Sequence, residues 1–336
     1  IEKVTSLDVA RLAGVSQSAV SRVFTPGASA SKRTAARVRA AAEQLGYRPN
    51  VLARAMITGR SRMVGLVVGY LDNLFYPDAL ERLSKALQAE GYHVLIFMAT
   101  NSDEGADTVL EELLDYQVDA VVMASVSLPN RLGRRCAEAG VPVVFFNRCQ
   151  DDPAFASVTS DNVAGGKKAA DHLVACGYRR IAHIAGWEGS STGRDRASGF
   201  REGLRQHGLE PTDQIDGMYR REVASEAVRT LVSSAEPPDA IFVGNDHMAF
   251  AVMDTLRHEL GRSVPGDVGV MGYDDVNIAA WPGYDLTTVR QPSQRMVEAT
   301  VRTILSRLSD PEALPKQIKI EGPLVIRGST RNTEIS

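Results

Sequence analysis

Two short amphipathic segments joined at a glycine place the strongest constraint on how this chain can fold. Thr5 and Asp8 have the spacing of a capping box, so we expect a helix to begin directly after Thr5. Gly14 can adopt the left-handed conformation that ends this helix, and Ser16 can cap the next one. The apolar faces of the two helices are expected to hold Leu7, Ala10, Leu12 and Ala13, followed by Val20 and Val23. Two helices bent around so short a turn form a helix-turn-helix.

The polar face of the second helix carries side chains that can hydrogen-bond to base edges and phosphates. In DNA-binding proteins built on a helix-turn-helix, the second helix enters the major groove. The predicted DNA contacts of this unit are Thr5, Ser16, Gln17, Ser18, Ser21 and Arg22. A helical hairpin whose polar face is only solvated is the alternative interpretation.

A third helix and the distribution of charge both favour DNA binding. Apolar residues at helical spacing predict a helix that begins at Ser31 and ends at Gly46. Its apolar face is expected to hold Val38, Ala41, Ala42 and Leu45. Residues 1–62 contain 11 Lys and Arg against three acidic residues, whereas the whole chain has a net charge of −3. A basic N-terminal unit on an acidic body is the charge pattern of a nucleic-acid-binding module.

The segment from Asn50 to Gly59 predicts a further short helix, which is preceded by Pro49. About two helical turns are only marginally stable alone in water. The order of a helix-turn-helix, a third helix, Tyr47-Arg48-Pro49-Asn50 and a short hinge resembles the LacI/GalR (lactose-repressor) family of bacterial transcription factors. The resemblance extends over essentially the whole chain.

This resemblance implies that the short helix is a hinge that folds on DNA. In that family, the hinge helices of a dimer lie in the minor groove and insert an apolar residue, usually leucine, into a base step. The matching position here is Met56, which is also apolar but more flexible than leucine, and we expect it to act as the wedge. Asn50 and Ala53 join Met56 as predicted DNA contacts of the hinge.

From residue 63 onward, short apolar runs alternate with helical patterns. Runs rich in Val and Ile and without alternation are typical of parallel strands that helices cover on both faces. The predicted strands are 64–68, 94–97, 120–123, 143–146, 181–185, 240–243 and 268–271. The chain has 336 residues and no apolar run long enough to cross a membrane. We therefore predict an all-α DNA-binding domain followed by a doubly wound α/β body.

Breaks in the strand pattern near 150–165 and 290–292 predict two subdomains in this body, like those of periplasmic binding proteins. We expect a helix-turn-helix domain at 1–49, a hinge helix and linker at 50–62, and an effector-binding and dimerisation domain at 63–336. The N-terminal subdomain is predicted at 63–158 and 290–318, and the C-terminal subdomain at 159–289 and 319–336. The resemblance implies the same arrangement.

Ligands of open α/β sheets bind beyond the carboxyl ends of the strands, where this chain has polar loops. Carboxylates, amides, guanidinium groups and aromatic rings in such loops suit a sugar or a sugar acid. By resemblance, Arg196 matches an arginine that contacts effector hydroxyls, and Asp274 matches an effector or structural carboxylate. The predicted effector-binding residues are Phe75, Tyr76, Asn147, Arg148, Arg196, Tyr219, Asn245, Asp246 and Asp274. For any one of them, an ordinary solvated loop is the alternative.

Two other functional classes compete with this interpretation. Gly189-Ser190-Ser191-Thr192-Gly193 fits the nucleophile elbow of an α/β-hydrolase, which would combine Ser191 with Asp246 and His258. The elbow requires the strand to run straight into the serine turn, whereas Gly186-Trp187-Glu188 intervenes here. An exported sugar-binding protein would share the two-subdomain body. The N-terminus shows no signal peptide and is basic, so we expect a cytoplasmic protein instead.

The cysteines and His183 give no sign of a metal site. Cys136, Cys149 and Cys176 share no metal-ligand spacing and are expected to be reduced thiols. His183 lies inside a predicted strand, where a hydrogen-bonded core histidine is the expected role. We therefore predict no metal, no cofactor and no catalytic residue.

The sequence and the resemblance together predict a sequence-specific transcriptional regulator, expected to be a repressor. Its expected partners are double-stranded operator DNA, a small-molecule effector and a second copy of the chain, since leucine heptads for a tetramer are missing. Effector binding between the subdomains would change their relative angle and alter operator affinity by about 1 to 3 kcal/mol.

Overall fold

The computed structural model describes residues 4–25, 28–48, 60–99, 103–124, 130–150 and 152–332. The chain divides into two compact units, residues 1–62 and 63–336, and each unit has its own hydrophobic core. Within the described ranges, no helix is long and apolar enough to cross a lipid bilayer.

The N-terminal unit is a bundle of three helices, α1 (Ser6–Ala13), α2 (Gln17–Phe24) and α3 (Lys32–Leu45). The predicted caps are confirmed. Asp8 N donates to Thr5 Oγ1 at 3.4 Å while Thr5 N donates to Asp8 Oδ2 at 3.0 Å, which completes the capping box. Ser16 caps α2, and Gly14 ends α1 with a φ of 60°.

The core of this bundle differs in part from the predicted one. The buried side chains are Val9, Ala10, Ala13, Val20, Val38, Ala41 and Ala42. The prediction for α1 is wrong at Leu7 and Leu12, which are 52% and 47% exposed. The buried stripe is centred on Val9 instead, because Val9, Ala10 and Ala13 lie at one-, three- and four-residue spacings on one helix face.

The larger unit alternates strands and helices along the chain. In chain order its elements are β1 (Met63–Val68), α4 (Phe75–Ala89), β2 (His93–Met98), α5 (Asp103–Asp115), β3 (Ala120–Ala124), α6 (Asn130–Glu138), β4 (Val143–Phe146), β5 (Ala156–Ser160), α7 (Asn162–Ala175), β6 (Ile181–Ala185), α8 (Ser191–Gln206), β7 (Gln214–Asp216), α9 (Arg221–Val232), β8 (Ala240–Val243), α10 (Asp246–Asp254), β9 (Gly269–Asp274), β10 (Thr287–Arg290), α11 (Ser293–Ser309), β11 (Gln317–Ile320) and β12 (Leu324–Val325).

These strands form two six-stranded sheets, which gives the predicted α/β body. The first sheet has the order β11-β5-β4-β3-β1-β2 and its strand pairs are parallel. The second has the order β12-β10-β9-β8-β6-β7, in which β12 alone pairs antiparallel. Parallel strands align their carboxyl ends at one edge of a sheet, so the loops that follow them can converge on one site.

The predicted strands are all present, but β5, β7, β10, β11 and β12 are additional. These five are short or rich in polar residues, so they lack the apolar run that marks a buried strand. The first sheet also continues past the expected subdomain limits at 158 and 318. Ser157 to Ser160 of β5 pair with Gln317 to Ile320 of β11, and this ladder holds both strands in one sheet to their ends.

Helix α8, which carries the predicted site residue Arg196, packs closely on α7. A Cβ atom on Gly199 would lie 2.1 Å from the backbone oxygen of Val163, and one on Gly166 would lie 2.3 Å from the backbone oxygen of Arg196. Glycine is needed at both positions because any side chain would push the helices apart. The close packing fixes the position of Arg196 against the second sheet.

His183 is a core residue of the second sheet, as predicted, although only one of its two ring nitrogens has a hydrogen-bond partner among the described residues. Its ring stacks on Phe242 with the ring centroids 4.8 Å apart, and Nδ1 donates to the backbone oxygen of Phe242 at 2.9 Å. Burial lowers the pKa of His183 to about 4, from an ordinary value of 6.5. Between about pH 4 and pH 6.5, His183 is therefore neutral in the folded protein but protonated in the unfolded chain.

This difference in protonation predicts a loss of stability in acid. The contribution of the neutral ring is complete above about pH 6.5 and is lost as the pH falls toward 4, because the unfolded chain binds the proton first. Between pH 7 and pH 5, we expect the free energy of unfolding to fall by about 2 kcal/mol more in the wild type than in His183→Leu. Urea unfolding at both pH values measures this difference.

The exposed histidine His93 provides the control. The His93→Gln variant should keep the pH dependence of the wild type. Equal pH dependence in the wild type and in His183→Leu would show that His183 is not the group that excludes the proton.

Candidate functional site

The polar face of α2 is exposed and its side chains are already oriented by hydrogen bonds. Gln17 Nε2 donates to Ser6 Oγ at 2.9 Å, and Arg22 Nε donates to the backbone oxygen of Ser18 at 3.4 Å. Gln17, Ser18 and Arg22 are exposed, whereas Ser21 is half-buried. These four residues are called the reading surface below.

Two of the predicted DNA contacts have a structural task as well. The hydroxyl of Thr5 takes part in the capping box, and the hydroxyl of Ser16 accepts from Ala19 N at 3.3 Å. Both hydroxyls therefore help to start the helices that present the reading surface. The hinge contacts predicted at Asn50, Ala53 and Met56 lie outside the described residues.

In the larger unit, a buried ion pair lies between the carboxyl ends of strands of the second sheet. Arg196 Nη2 lies 3.5 Å from Asp274 Oδ1, and both side chains are almost fully buried. Arg196 Nε also donates to Asn162 Oδ1 at 2.9 Å, and Nη1 donates to the backbone oxygen of Gly244 at 2.6 Å. The guanidinium group covers the Tyr273 ring, with Cζ 3.7 Å from its centroid.

Asp274 extends this arrangement to the other subdomain. Asn73, which follows the first strand of the first sheet, donates from Nδ2 to Asp274 Oδ2 at 3.1 Å. Gln291, which follows β10, donates from Nε2 to Asp274 Oδ1 at 2.7 Å. Arg196, Asp274, Asn73, Asn162 and Gln291 together are called the cleft network below. The Asn73–Asp274 bond means that the network joins loops of both sheets.

A second group of predicted site residues lies around Tyr219. Arg148 Cζ is 5.9 Å from the centroid of the Tyr219 ring, and Thr192 Oγ1 is 2.9 Å from the Tyr219 hydroxyl. Asn147 has a φ of 68° and donates from Nδ2 to the Tyr76 hydroxyl at 3.1 Å. These contacts bring residues that follow β4 together with residues of the second sheet.

Asn245 caps α10 and Asp246 is its first residue, and the two side chains differ in how many of their polar atoms are already hydrogen-bonded. Asn245 Oδ1 caps the helix by accepting from Met248 N at 3.0 Å. Asp246 uses both oxygens, since Oδ1 accepts from Thr288 Oγ1 at 2.7 Å and Oδ2 accepts from Val276 N at 3.0 Å. Burial, followed by the nearby carboxylate of Asp274, raises the pKa of Asp246 above its usual range.

Three buried polar atoms near these strand ends have no hydrogen-bond partner in the part of the chain that the structure describes. They are Asn147 Oδ1, Asn245 Nδ2 and Gln291 Oε1. Buried polar groups are nearly always hydrogen-bonded in native proteins, so each such atom calls for an explanation. A polar ligand bound at the strand ends is one explanation for such atoms.

The sequence did not single out Asn73, Asn162 and Gln291 as binding residues. Only the positions of Asn73 and Gln291 next to strand ends could have signalled them. Phe75 was predicted to bind effector, but it is a buried core residue whose ring stacks on Phe146 at a centroid distance of 6.3 Å. A cavity of about 250 Å³ borders Asn73 and is lined also by Asp72, Leu74, Arg221, His247, Phe250, Val276, Ile278, Trp281 and Tyr284.

The serine of the elbow-like sequence has no catalytic arrangement. Ser190 caps α8, and Ser191 Oγ accepts from Cys149 N at 3.0 Å. The carboxylate of Asp246 accepts from Val276 N and Thr288 Oγ1 instead, and His258 is exposed. The serine, the aspartate and the histidine of the hypothetical triad therefore do not hydrogen-bond to one another. Within the described ranges, no cluster of three or more His, Cys, Asp or Glu residues could hold a metal ion.

Comparison with known proteins decides the family. A model of bacterial regulatory proteins of the lacI family matches residues 5–50, and a model of a periplasmic binding protein-like domain matches residues 170–330. The HTH-type transcriptional regulator CelR of Thermobifida fusca is 33% identical over 332 residues, which cover 96% of both chains. This chain belongs to the LacI family. Members of the family are DNA-binding transcriptional regulators, and this LacI-family protein is therefore one as well.

Further relatives and solved structures agree. The ribose operon repressor of Escherichia coli K12 is 29% identical and covers 97% of this chain and 99% of its own. The crystal structure of the lac repressor dimer bound to operator and the anti-inducer ONPF has a TM-score of 0.89 at 27% identity, covering 98% of this chain and 100% of that one. The CelR–cellobiose complex has a TM-score of 0.75 at 31% identity, covering 97% and 100%.

The reading surface predicts that Arg22 distinguishes operator from random DNA. An arginine that contacts a base strengthens binding to one DNA sequence, whereas an arginine that contacts a phosphate strengthens binding to all sequences. We expect Arg22→Ala to cost about 1 to 3 kcal/mol on the operator and little on random duplex. Fluorescence anisotropy with both duplexes measures the two affinities.

Arg11, which is exposed on α1, serves as the matched control. The Arg11→Ala variant should lower both affinities equally or leave both unchanged. Equal losses on the two duplexes for Arg22→Ala would make Arg22 a phosphate contact only.

Proposed function

We propose that this LacI-family regulator is a homodimeric repressor whose operator affinity is controlled by a sugar or sugar acid bound at the cleft network. The observation that carries the proposal is the set of three buried polar atoms at the strand ends for which the described part of the chain offers no hydrogen-bond partner. Relatives support it, since the solved lac repressor complex contains operator and ONPF and a CelR complex contains cellobiose.

The chemistry of the unpartnered atoms favours hydroxyl groups. Asn245 Nδ2 is a donor, whereas Asn147 Oδ1 and Gln291 Oε1 are acceptors. A hydroxyl group both donates and accepts, so a polyol can pair with either kind of atom. Tyr219 offers an aromatic face to the apolar side of a sugar ring. This combination of a few fixed polar groups with aromatic surface is typical of small-molecule sites.

Two guanidinium groups extend the proposal to acidic sugars. Arg148 and Arg196 lie within electrostatic range of each other and of Tyr76 and Tyr219. The N-terminus of α8, which starts at Ser191, adds the positive end of a helix dipole. A carboxylate or phosphate on the effector would reduce the repulsion between the two cations, so acidic derivatives are expected to bind more tightly than neutral sugars.

The control step follows from where the network lies. A ligand that hydrogen-bonds to Asn73, Asp274 or Gln291 changes the contacts between the loops of the two sheets. A changed angle between the subdomains would then alter DNA binding by the N-terminal units of the dimer through residues 50–62, which we propose as the hinge and linker. The proposal assigns no catalytic step to the chain and places it in the bacterial cytoplasm, where operator DNA is located.

A ligand screen tests the proposal directly. Neutral sugars, sugar acids and phosphorylated sugars are added singly, and the unfolding temperature of the full chain is measured, because a specific ligand stabilises the folded state by mass action. The compounds that stabilise are then titrated against a complex with operator obtained by in vitro selection. A stabilising sugar that leaves operator affinity unchanged would contradict the proposed control, and the absence of any selected DNA would contradict the repressor.

Asn245 gives the sharpest site variant. The Asn245→Ser change keeps a good N-cap for α10 but removes the Nδ2 donor. We expect the effector concentration for half-maximal response to rise about tenfold, because about 1.4 kcal/mol for one lost hydrogen bond equals one decade. Operator affinity without effector should equal that of the wild type. An unchanged effector response would remove Asn245 from the site.

Alanine variants of Arg196 and Asp274 test the same site less cleanly. Removing one partner of a buried ion pair leaves the other charge uncompensated, which costs about 3 to 5 kcal/mol of stability. Either variant should need at least tenfold more effector. A loss of operator binding without effector would show instead that the pair is needed for folding.

The hinge stays a prediction that DNA binding can test. The Ala53→Gly change disfavours a helix by about 1 kcal/mol in each protomer. We expect weaker operator binding and unchanged effector affinity, measured by anisotropy and calorimetry. Unchanged operator binding would mean that residues 50–58 do not form a helix on DNA.

A further inference from the structure

The turn of the helix-turn-helix receives a side chain from the third helix. Arg37, on α3, donates from Nη2 to the backbone oxygen of Ala13 and, at 3.2 Å, to the backbone oxygen of Gly14. Ala13 is the last residue of α1, and Gly14 is its C-cap. One side chain of α3 therefore binds the two carbonyl groups at which the chain leaves α1.

The backbone at this turn fits closely around the guanidinium group. Gly14 has a φ of 60°, and a Cβ atom added there would lie 2.7 Å from Arg37 Nη2. Val15 N donates to the backbone oxygen of Ala10 at 3.0 Å, which closes the end of α1. Glycine at position 14 thus provides both the left-handed conformation and the space for Arg37.

The chemistry of this contact is that of a cation at the end of a helix. The last carbonyl groups of an α-helix lack partners within the helix and carry partial negative charge. Arginine has donors only, so the direction of both hydrogen bonds is fixed. Val38, the next residue, is fully buried in the core of the bundle and holds this part of α3 in place.

We propose that Arg37 is a positioning residue for DNA reading, which sets the angle between α1 and α2, and that it is not a phosphate contact. Its charge alone would group it with the other basic residues of the unit that neutralise phosphates. The hydrogen bonds to Ala13 and Gly14 assign it to the turn instead. Through the turn it determines how α2 presents Gln17, Ser18 and Arg22 to base edges.

Salt dependence separates the two roles. The slope of log K against log salt concentration is negative, and each phosphate contact that is lost reduces its magnitude by about 0.9. Such a loss also weakens binding to all sequences alike. A positioning residue leaves the slope and the affinity for random DNA unchanged but lowers the affinity for the operator. A stability role without positioning would alter neither affinity while the unit remains folded.

The test uses the full chain, an operator obtained by in vitro selection with the wild type, and a random duplex. Affinities are measured between 50 and 300 mM KCl, at about 25 °C, for the wild type, Arg37→Gln, Arg37→Lys and Arg39→Gln. Arg39 is the matched control, because it lies on the same helix, has the same charge and has an exposed side chain. Hydrogen exchange of residues 5–24 and 31–45 shows whether each variant is folded.

For Arg37→Gln we expect operator affinity to fall about tenfold or more, because the shorter, neutral amide cannot bind both carbonyl groups in the way that the guanidinium fork does. Random-duplex affinity and the salt slope should match the wild type. Arg37→Lys keeps the charge but not the fork, so it should restore part of the lost operator affinity. Exchange should increase at Gly14 and Val15 while α3 stays protected.

Three results would overturn the proposal. The first is a salt slope of smaller magnitude together with equal losses of affinity for both duplexes, which would make Arg37 a phosphate contact. The second is a folded Arg37→Gln variant with unchanged operator affinity. If Arg37→Gln unfolds, Arg37→Lys decides, because operator affinity equal to the wild type would show that charge alone is sufficient.

Discussion

The buried pair of Arg196 and Asp274 is the interaction on which the larger unit depends. Arg196 binds the side chain of Asn162 and the backbone oxygen of Gly244, while Asp274 accepts from Asn73 and Gln291. A buried ion pair adds little net stability once desolvation is counted, but breaking it is costly. Such a pair is better suited to holding Asp274 in position for its hydrogen bond with Asn73, which comes from the other sheet, than to stabilising the fold. This is the property that a ligand-controlled regulator requires.

Local signals allowed most of the N-terminal unit to be predicted from sequence. The caps at Thr5 and Ser16 and the turn at Gly14 depend on residues within four positions of each other, so they could be predicted directly. The choice between Leu7 and Val9 as a core residue could not, since it depends on the shape of the bundle. The contact of Arg37 with the turn likewise spans 23 and 24 residues and leaves no local pattern.

In the larger unit, the buried parallel strands were predictable because their apolar runs are unbroken. The five additional strands were not, because pairing with a neighbour rather than composition makes them strands. For the candidate site, the family resemblance pointed to Arg196 and Asp274, and the structure brings these two side chains together. Asn73 and Gln291 were missed because their role arises from meeting Asp274, which is 201 residues from Asn73. Asp246 was found, but its oxygens are held by Thr288 and Val276.

We propose that effector binding at the cleft network and operator binding by the N-terminal unit are coupled by a single free energy. Coupling between two binding sites is reciprocal, so the factor by which effector changes operator affinity must equal the factor by which operator changes effector affinity. Isothermal titration of the stabilising effector, into the free protein and into its operator complex, gives the second factor directly. We predict that it equals the first factor, measured by operator titration, and that it lies between about 5 and 150. Equal effector affinities with and without operator would contradict the account.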